Sequence, residues 1–441
     1  MLINTHLLKK MLLLFYTTVF VFPISAQIWT LQQCIDTAQI NNKNLQMGRN
    51  NILLGQQKHN ETLANFIPKV NANLDYRYYT DMPYQLIPMT MFGGPEGQFK
   101  ENQFGVPHNL NANLQFSMPL YNSQMFGAIQ TTKIASELSE LQYKKTEEQI
   151  FFEIANTYFN AQILQQQILF LDSNVLNTQK LLGNMRLLKE QMMAKATDVT
   201  KVQLQLEQML TQKELANSKF EQTIRVMKFL IGIDVNRTIE IEQNILFKNA
   251  NDYTNNQTIE NQIVETQNKL IKSELNTLKN SRIPSLSLYG TYGQTGFGYT
   301  EKPNDFLKFF PIGFIGVQFS YPLFNGTITQ RKINQKNIEI QNNVLQMNLI
   351  TEQNAMLVEN ANRQRQIVKR TVENTFLQIK LAQKVYEQTI LQQKEGTATL
   401  TDVLLADNAL REVQQTYISV VIEYLKTDLE LKKLTGNLFF N

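Results

Sequence analysis

One eight-residue phrase occurs twice in this chain. QFSMPLYN, Gln115 to Asn122, returns as QFSYPLFN, Gln318 to Asn325, an offset of 203 positions (318 − 115). Downstream, TDV at Thr197 to Val199 returns at Thr401 to Val403, and LIG at Leu230 to Gly232 returns as LTG at Leu434 to Gly436, both at an offset of 204 (401 − 197 and 434 − 230). A register held to within one residue over so long a span marks an internal duplication, so the chain must fold as two copies of one structural unit.

Proline shows what that unit contains. After Pro23, every proline lies between Pro68 and Pro119 or between Pro284 and Pro322. Proline breaks helix interiors, so the proline-free segments are free to be long helices and the two windows are where strands belong. From Thr327 to Glu395 there is neither glycine nor proline, and Ile333, Ile340, Met347, Ala361 and Val368 recur at sevens beside Val344, Val358, Val372, Ile379 and Tyr386. Two such series predict coiled-coil packing. At ~1.5 Å per residue the helix would be roughly 100 Å long. The equivalent run of the first half, Ser123 to about Met192, is interrupted only by Gly127 and Gly183. Asn354 and Arg365 fall on the seam, where a polar residue serves as a register device more often than as a ligand.

The proline windows alternate. Leu110, Ala112, Leu114, Phe116 and Met118 interleave with Asn109, Asn111, Asn113, Gln115 and Ser117, giving a strand with one apolar face and one amide-and-hydroxyl face. Val70 to Tyr79 supplies a partner of the same kind. In the second half Leu286, Leu288 and Tyr292 face away from Ser285, Ser287 and Thr291, while Ile315, Val317, Phe319 and Tyr321 face away from Gly316, Gln318 and Ser320. Strands are predicted at about 70–79, 109–118, 285–293 and 313–321, each close to the ~9 to 11 residues of a tilted transmembrane strand. Alternation alone leaves a soluble sheet with one solvated face equally open.

The N-terminus bears on that choice. Lys9 and Lys10, the apolar run Met11 to Phe22, and the small residues ending at Ala26 have the order of a secretory leader, residues 1–26. No later stretch offers the ~18 apolar residues of a membrane-spanning helix, so membrane insertion would have to be as a β-barrel. The leader and the tyrosines near strand ends favour the barrel. Four strands cannot close one, since ~8 is the smallest common number, so copies must share it. Two copies would give eight strands and a filled interior; three would give twelve and a lumen.

Resemblance to a known family covers nearly all of the sequence after the leader. The opening WTLQQCIDTAQINNKNLQ, the helix-to-strand FIPKV and RIPSL, the strand-to-helix MPLYN and YPLFN, and the hairpin GTATLTDVLLADNAL, in that order and duplicated, resemble the TolC-like outer membrane efflux proteins. The resemblance implies a mixed α and β membrane protein: a homotrimer with a 12-stranded outer membrane β-barrel, four strands per chain, continuous with a periplasmic coiled-coil tunnel. It implies an exit duct in the outer membrane of a Gram-negative bacterium, for tripartite efflux or type I secretion. Its partners would be a periplasmic adaptor protein and an inner membrane efflux pump or ABC transporter. Residues 27–232 would form the first repeat, 233–257 an equatorial linker and 258–441 the second repeat. Leu110, Leu114, Phe116, Val317 and Phe319 would face outer membrane lipid. The loops 81–108 and 295–310 would lie outside the cell.

At the hairpin tips the family closes its tunnel, and here the chain departs from the best-known pattern. Gly396, Thr397 and Asp402 match it, but Ala398 replaces an arginine and Leu405 replaces a second aspartate. Asp198 matches the acidic partner of the missing arginine, and Lys195 or Lys394 could stand in for it. Thr197, Asp198, Gly396, Thr401, Asp402 and Leu405 are the expected gate positions. Asp402 is expected either to form an acidic ring of three carboxylates or only to cap its helix. Met192 stands where the second half has Gly396, so the two tips are expected to differ in shape. Met192 and Met193 are candidates for the adaptor contact, with hairpin packing as the plainer role.

Other functions find little support. The formal charge of +4 includes two leader lysines and is too small to indicate nucleic acid. Cys34 is the sole cysteine and reads as an inert helix-face thiol. His6, His59 and His108 are scattered, and no metal spacing, nucleophile elbow or phosphate loop is present, so neither an enzyme nor a cofactor is expected. A structural periplasmic coiled coil would leave the strands unexplained. A periplasmic adaptor would not need apolar faces on two duplicated hairpins.

Overall fold

A computed structural model describes residues 28–243, 253–299 and 308–438. The leader, residues 244–252 of the linker and residues 300–307 of the second loop lie outside the described residues. In chain order the elements are β1 (Ile28–Trp29), α1 (Leu31–Asn41), α2 (Lys43–Ala64), β2 (Lys69–Tyr78), β3 (Tyr84–Pro88), β4 (Phe99–Gln103) and β5 (His108–Tyr121). They continue with α3 (Ser123–Glu190), α4 (Ala196–Ile231), β6 (Glu240–Ile241), α5 (Ile259–Asn280), β7 (Ser285–Gly298), β8 (Lys308–Ser320), α6 (Ile328–Lys394) and α7 (Leu400–Leu434). The second hairpin, 67 and 35 residues, repeats the first, 68 and 36 residues. No described helix is long and apolar enough to cross a membrane.

The chain divides into two compact units. The first comprises residues 48–144 and 259–353 and holds the four-stranded sheet, in the order β2-β5-β7-β8 and antiparallel throughout. Small residues let its helices approach closely. A Cβ at Gly127 would run into Thr277, and the Thr131 hydroxyl lies 2.9 Å from that of Ser273. Asn268 donates to Asn343 at 2.8 Å in a buried amide pair. Lys336 bridges Glu274 at 2.8 Å and Glu339 at 2.6 Å.

The second unit comprises the described parts of residues 1–47, 145–258 and 354–441. Here α3 and α4 close on each other through Val175, Leu182, Met185, Val199, Val202, Leu206 and Met209, with Leu400 of α7 in the same cluster. Val368 and Val372 of α6 pack on Val421 and Tyr424 of α7. Along α6 the sevenfold series holds at Ile333, Ala361, Val368 and Val372, which are buried, but Val344 is exposed and Asn343 takes the inward place. An extra four-residue step near Asn354 accounts for the shift: it is a stutter, which locally unwinds a heptad seam. At the start of the unit, β1 pairs in parallel with β6, and Tyr158 donates to the Trp29 carbonyl at 3.0 Å. Gly232 ends α4 at φ +75°, where an added Cβ would strike the Asn41 backbone, so only glycine fits. Cys34 is fully buried, and that burial pushes its thiol up to about 12, which makes it inert.

The strands run longer than expected, β5 to Tyr121 rather than 118 and β7 to Gly298 rather than 293, and two further segments differ. The loop 81–108 contains the hairpin β3–β4, paired from Tyr84↔Gln103 to Pro88↔Phe99 and closed by a 3-10 turn ending on Gly93 at φ +78°. Strand β8 begins at Lys308, five residues before the expected 313, because pairing with β7 continues up to Phe297↔Lys308 although the alternation of polar and apolar residues does not.

Candidate functional site

Register decides which side chains share a face of the sheet. The pairs Ala72↔Leu114↔Tyr292, Val70↔Phe116 and Met118↔Leu288↔Val317 lie on one side, together with Tyr76↔Leu110 and Leu286↔Phe319. Leu110, Leu114, Phe116, Val317 and Phe319 thus occupy a single face that runs across all four strands. Asn71, Asn73 and Asp75 share the opposite face with Asn111, Asn113 and Gln115, and Asn73 donates to Asn113 at 3.4 Å. At the strand ends remote from the helices, the Tyr76 hydroxyl lies 2.8 Å from His108 Nδ1, and the Tyr78 ring packs on the same imidazole. Within the chain β2 and β8 each pair along one edge, so the described sheet is open on both sides.

The helical hairpins end in matching turns, and this corrects the expectation that Met192 would give the first tip a different shape. Met193 N–H donates to the Leu188 carbonyl at 2.8 Å and Met192 N–H to Lys189 at 3.0 Å; Thr397 donates to Gln392 at 2.9 Å and Gly396 to Gln393 at 3.1 Å. Both are Schellman turns, with Gly396 at φ +77° and Met192 at φ +59°. Satisfying two carbonyls holds a methionine in the left-handed region that glycine enters freely. The tips differ in the caps that follow. Thr399 Oγ1 accepts from Asp402 N–H at 3.3 Å, and Asp402 Oδ2 accepts from Thr399 N–H at 2.8 Å, a complete capping box. Lys195, at the matching place, makes no side-chain cap.

Those bonds give Asp402 its electrostatics. The Thr399 hydroxyl and N–H hold its carboxylate below the ordinary value of 3.8 while it stays fully exposed, so it is charged at neutral pH. Asp198 lies in the first turn of α4 with Lys201 of its own helix at 4.0 Å. Thr197, Thr401 and Leu405 are exposed beside these two carboxylates, and Met192 is 95 % exposed.

Two polar clusters in the second unit escaped sequence reasoning. Arg411 of α7 pairs with Asp407 one turn earlier, and its guanidinium also reaches Met209 Sδ at 2.9 Å and Thr178 Oγ1 at 3.4 Å, on the first hairpin. Gln205 donates to Asp407 at 3.0 Å. Burial raises Asp407 above its ordinary value, with Arg411 and Gln205 opposing the rise. The other cluster is built on Arg365, which meets Asp428 at 2.9 Å with both side chains largely buried. Tyr253 donates to the same carboxylate at 2.8 Å and lies under the guanidinium at 5.2 Å. Burial and that carboxylate push the Tyr253 phenol far up. The spacing of Asp407 and Arg411 at i,i+4 was the available signal for the first cluster; only the seam position of Arg365 pointed to the second.

A four-stranded antiparallel sheet with one continuous apolar face, joined to two coiled-coil hairpins, defines the subunit of an outer membrane channel with a helical tunnel. Comparison with known proteins points to the same kind of channel. Residues 34–232 match the family model described as outer membrane efflux protein. The chain is 21% identical over 360 residues to the outer membrane protein TolC of Vibrio cholerae serotype O1, an alignment spanning 75% of this chain and 77% of the relative. Its fold matches a crystal structure of CusC with TM-score 0.76 at 13% identity, over 92% of this chain and 91% of that one. It matches the Campylobacter jejuni CmeC outer membrane channel with TM-score 0.75 at 14% identity, over 93% and 86% of the two chains. Over residues 34–232, a little under half of its length, the chain is similar to the outer membrane efflux proteins, and over nearly all of its length it has the fold of the outer membrane efflux channels.

Proposed function

We propose that three copies of the chain assemble with C3 symmetry into a twelve-stranded barrel and act as the passive exit duct of a tripartite efflux or type I secretion system. The observation that carries this reading is the open sheet. Its outer strands β2 and β8 leave an edge each, and in lipid every unpaired backbone group costs several kcal/mol, so the strands must close on neighbouring copies. Because β2 runs away from the helices and β8 runs toward them, pairing β8 of one copy with β2 of the next keeps the barrel antiparallel. Eight strands would fill their own interior, whereas twelve leave a water-filled lumen. In this arrangement Leu110, Leu114, Phe116, Val317 and Phe319 meet lipid, and the amides of β2 and β5 meet the water of the duct.

The repeats 27–232 and 258–441 supply the tunnel wall and 233–257 runs around it. The hairpin tips form the periplasmic entrance, with Met192 and Met193 on the surface offered to an adaptor protein. An inner membrane efflux pump or ABC transporter supplies the energy. At the entrance three Asp402 carboxylates come together. Capping and ring formation are compatible, since the capping box keeps the group ionised. Asp402→Asn keeps an acceptor for the cap and removes the charge; planar-bilayer recordings are expected to show weaker cation selectivity, and unchanged selectivity would remove the ring.

Crosslinking in cells followed by identification of the co-purified inner membrane protein tests the assembly as a whole, together with the mass of the detergent-solubilised channel. A solubilised monomer that keeps its full strand content would refute the trimer.

A further inference from the structure

Strand β8 is apolar on both faces. On the side it shares with the amides of β5, it carries Phe310, Ile312 and Phe314, reached through Asn111↔Thr295↔Phe310, Asn113↔Gly293↔Ile312 and Gln115↔Thr291↔Phe314. Phe297 and Tyr289 of β7 pack against the ends of this stripe, each with ring centroids 6.1 Å from its partner on β8. The three side chains remain 47 %, 45 % and 51 % exposed. They point away from Val317 and Phe319, so lipid on the outer face cannot cover them. A stripe of this kind facing the water of a duct is without a physical reason unless something packs on it.

The hairpin β3–β4 carries a second uncovered apolar stripe. Its register puts Tyr84, Leu86 and Pro88 of β3 on one side with Gln103, Glu101 and Phe99 of β4 paired to them, so the apolar residues line the β3 edge of that side, while Gln85, Ile87, Lys100 and Asn102 lie on the other. Tyr84, Leu86 and Phe99 are exposed, as are Met91 and Phe92 in the turn that closes the hairpin. The hairpin follows β2, its base held by Tyr79 N–H donating to the Pro107 carbonyl at 2.8 Å. Within one chain β2 and β8 are the first and last strands of the sheet, three inter-strand steps or about 14 Å apart at ~4.8 Å per step. In the closed barrel, β2 is one step from β8 of the neighbouring copy. The segment 79–83 between β2 and the hairpin spans at most about 17 Å at ~3.4 Å per residue, enough to cross that single step and turn inward.

We propose that the β3–β4 hairpin of each subunit folds over the barrel rim and seats Tyr84, Leu86 and Phe99 on Phe310, Ile312 and Phe314 of the next subunit, so that three hairpins narrow the outer mouth of the duct. This rests on the trimer proposed above. The occupant is a second copy of this chain because its β8 lies one step from β2, whereas crossing about 14 Å to the β8 of the same chain would leave residues 79–83 only about 3 Å with which to turn inward. A duct closed this way keeps a hydrophobic constriction in its resting state, and cargo passes by lifting the hairpins.

The test places Leu86→Cys and Ile312→Cys in a Cys34→Ser chain, first on separate chains that are co-expressed and then on one chain, with copper phenanthroline as oxidant. Separate chains are expected to give a crosslinked dimer, and the double variant a ladder up to the trimer. A crosslink confined within one chain overturns the inter-subunit seat, as does no crosslink in an assembly that still has the mass of a trimer. An assembly that is not a trimer defeats the underlying reading instead, and the mass measurement separates the two. A second arm follows a fluorophore attached to Leu86→Cys in vesicles of brominated lipid: strong quenching would place the hairpin in the bilayer and overturn the seat. In planar bilayers, Phe314→Ser is expected to raise conductance at least twofold, and unchanged conductance would show that the mouth is not narrowed there.

Discussion

Exchanging Leu114 and Asn113 in turn for arginine tests which side of the sheet meets lipid. Leu114 is the seventh of the fourteen residues of β5 and lies between Ala72 and Tyr292 on the apolar face, half exposed, with its side chain well away from either strand end. Arginine on the lipid face near the bilayer midplane costs about 2 to 4 kcal/mol per site. Three copies in the proposed trimer bring the total to roughly 6 to 12 kcal/mol, comparable with the whole stability of a domain of ~5 to 15 kcal/mol. Asn113, one residue away, faces Asn73 on the polar side, where an arginine stays in water and costs little. Leu114→Arg should therefore be nearly absent from the outer membrane fraction, while Asn113→Arg assembles close to normally as a heat-modifiable band. Equal outer membrane levels of the two variants would refute a lipid-facing Leu114; a reversed contrast would mean the register is off by one.

Three further changes probe the helical part. Thr399→Ala should cost about 1 kcal/mol by removing the N-cap of α7, and Lys195→Ser should recover a similar amount at the uncapped start of α4, both read by thermal unfolding. Because Asp402 is held below its ordinary 3.8, its share of the capping box is present above that value and is lost as pH falls through the lowered pKa, so the Thr399→Ala deficit should shrink in acid. Met192→Gly should stabilise the first hairpin by up to about 1 kcal/mol by relieving a positive φ, yet weaken capture of the adaptor if Met192 is part of that contact; tighter capture would argue against the role. Arg365→Met alone should cost about 3 to 5 kcal/mol by stranding Asp428, whereas Arg365→Met with Asp428→Leu should cost far less; equal urea sensitivity of the two variants would sink the buried pair.

What the sequence made legible follows from which forces act locally. Proline excludes helix interiors whatever the tertiary context, so the boundaries of α3 and α6 could be read to within two residues. Alternation reported the apolar face of β5 correctly because its other face is entirely polar. It failed on β8 before Gly313, where Phe309 to Phe314 offers no polar face to mark a period. The β3–β4 hairpin was hidden by its glycines and prolines, which signal a turn without showing that strands flank it. Arg411 and Asp407 were hidden for another reason. An i,i+4 ion pair is the ordinary sign of a solvated helix face, and only the packing of α7 on Thr178, Gln205 and Met209 turns it inward. At the tips, glycine against methionine pointed to two shapes, but the hydrogen bonds available at a helix end outweigh the preference of one residue.

The buried polar pairs solve a problem that the sevenfold repeat creates. A helix of 67 residues whose seam repeats every seven can slide by one heptad, about 10 Å at ~1.5 Å per residue, and still bury apolar side chains against apolar side chains. Packing alone therefore discriminates weakly between registers. In the first unit such a slip would replace Asn343 opposite Asn268 by Lys336 or Ile350, ending a buried amide pair. In the second unit it would set Val358 or Val372 against Asp428 in place of Arg365, leaving a largely buried carboxylate without its guanidinium. Removing one partner of such a pair costs about 3 to 5 kcal/mol, more than the small difference in apolar contact between registers. The proposed duct needs this discrimination, since a one-heptad error would displace the hairpin tip by two helical turns and carry Asp402 out of level with its counterparts in the proposed trimer. The pairs contribute less to stability than apolar residues of the same size could, and their value lies in making a single register the one that keeps both of them paired.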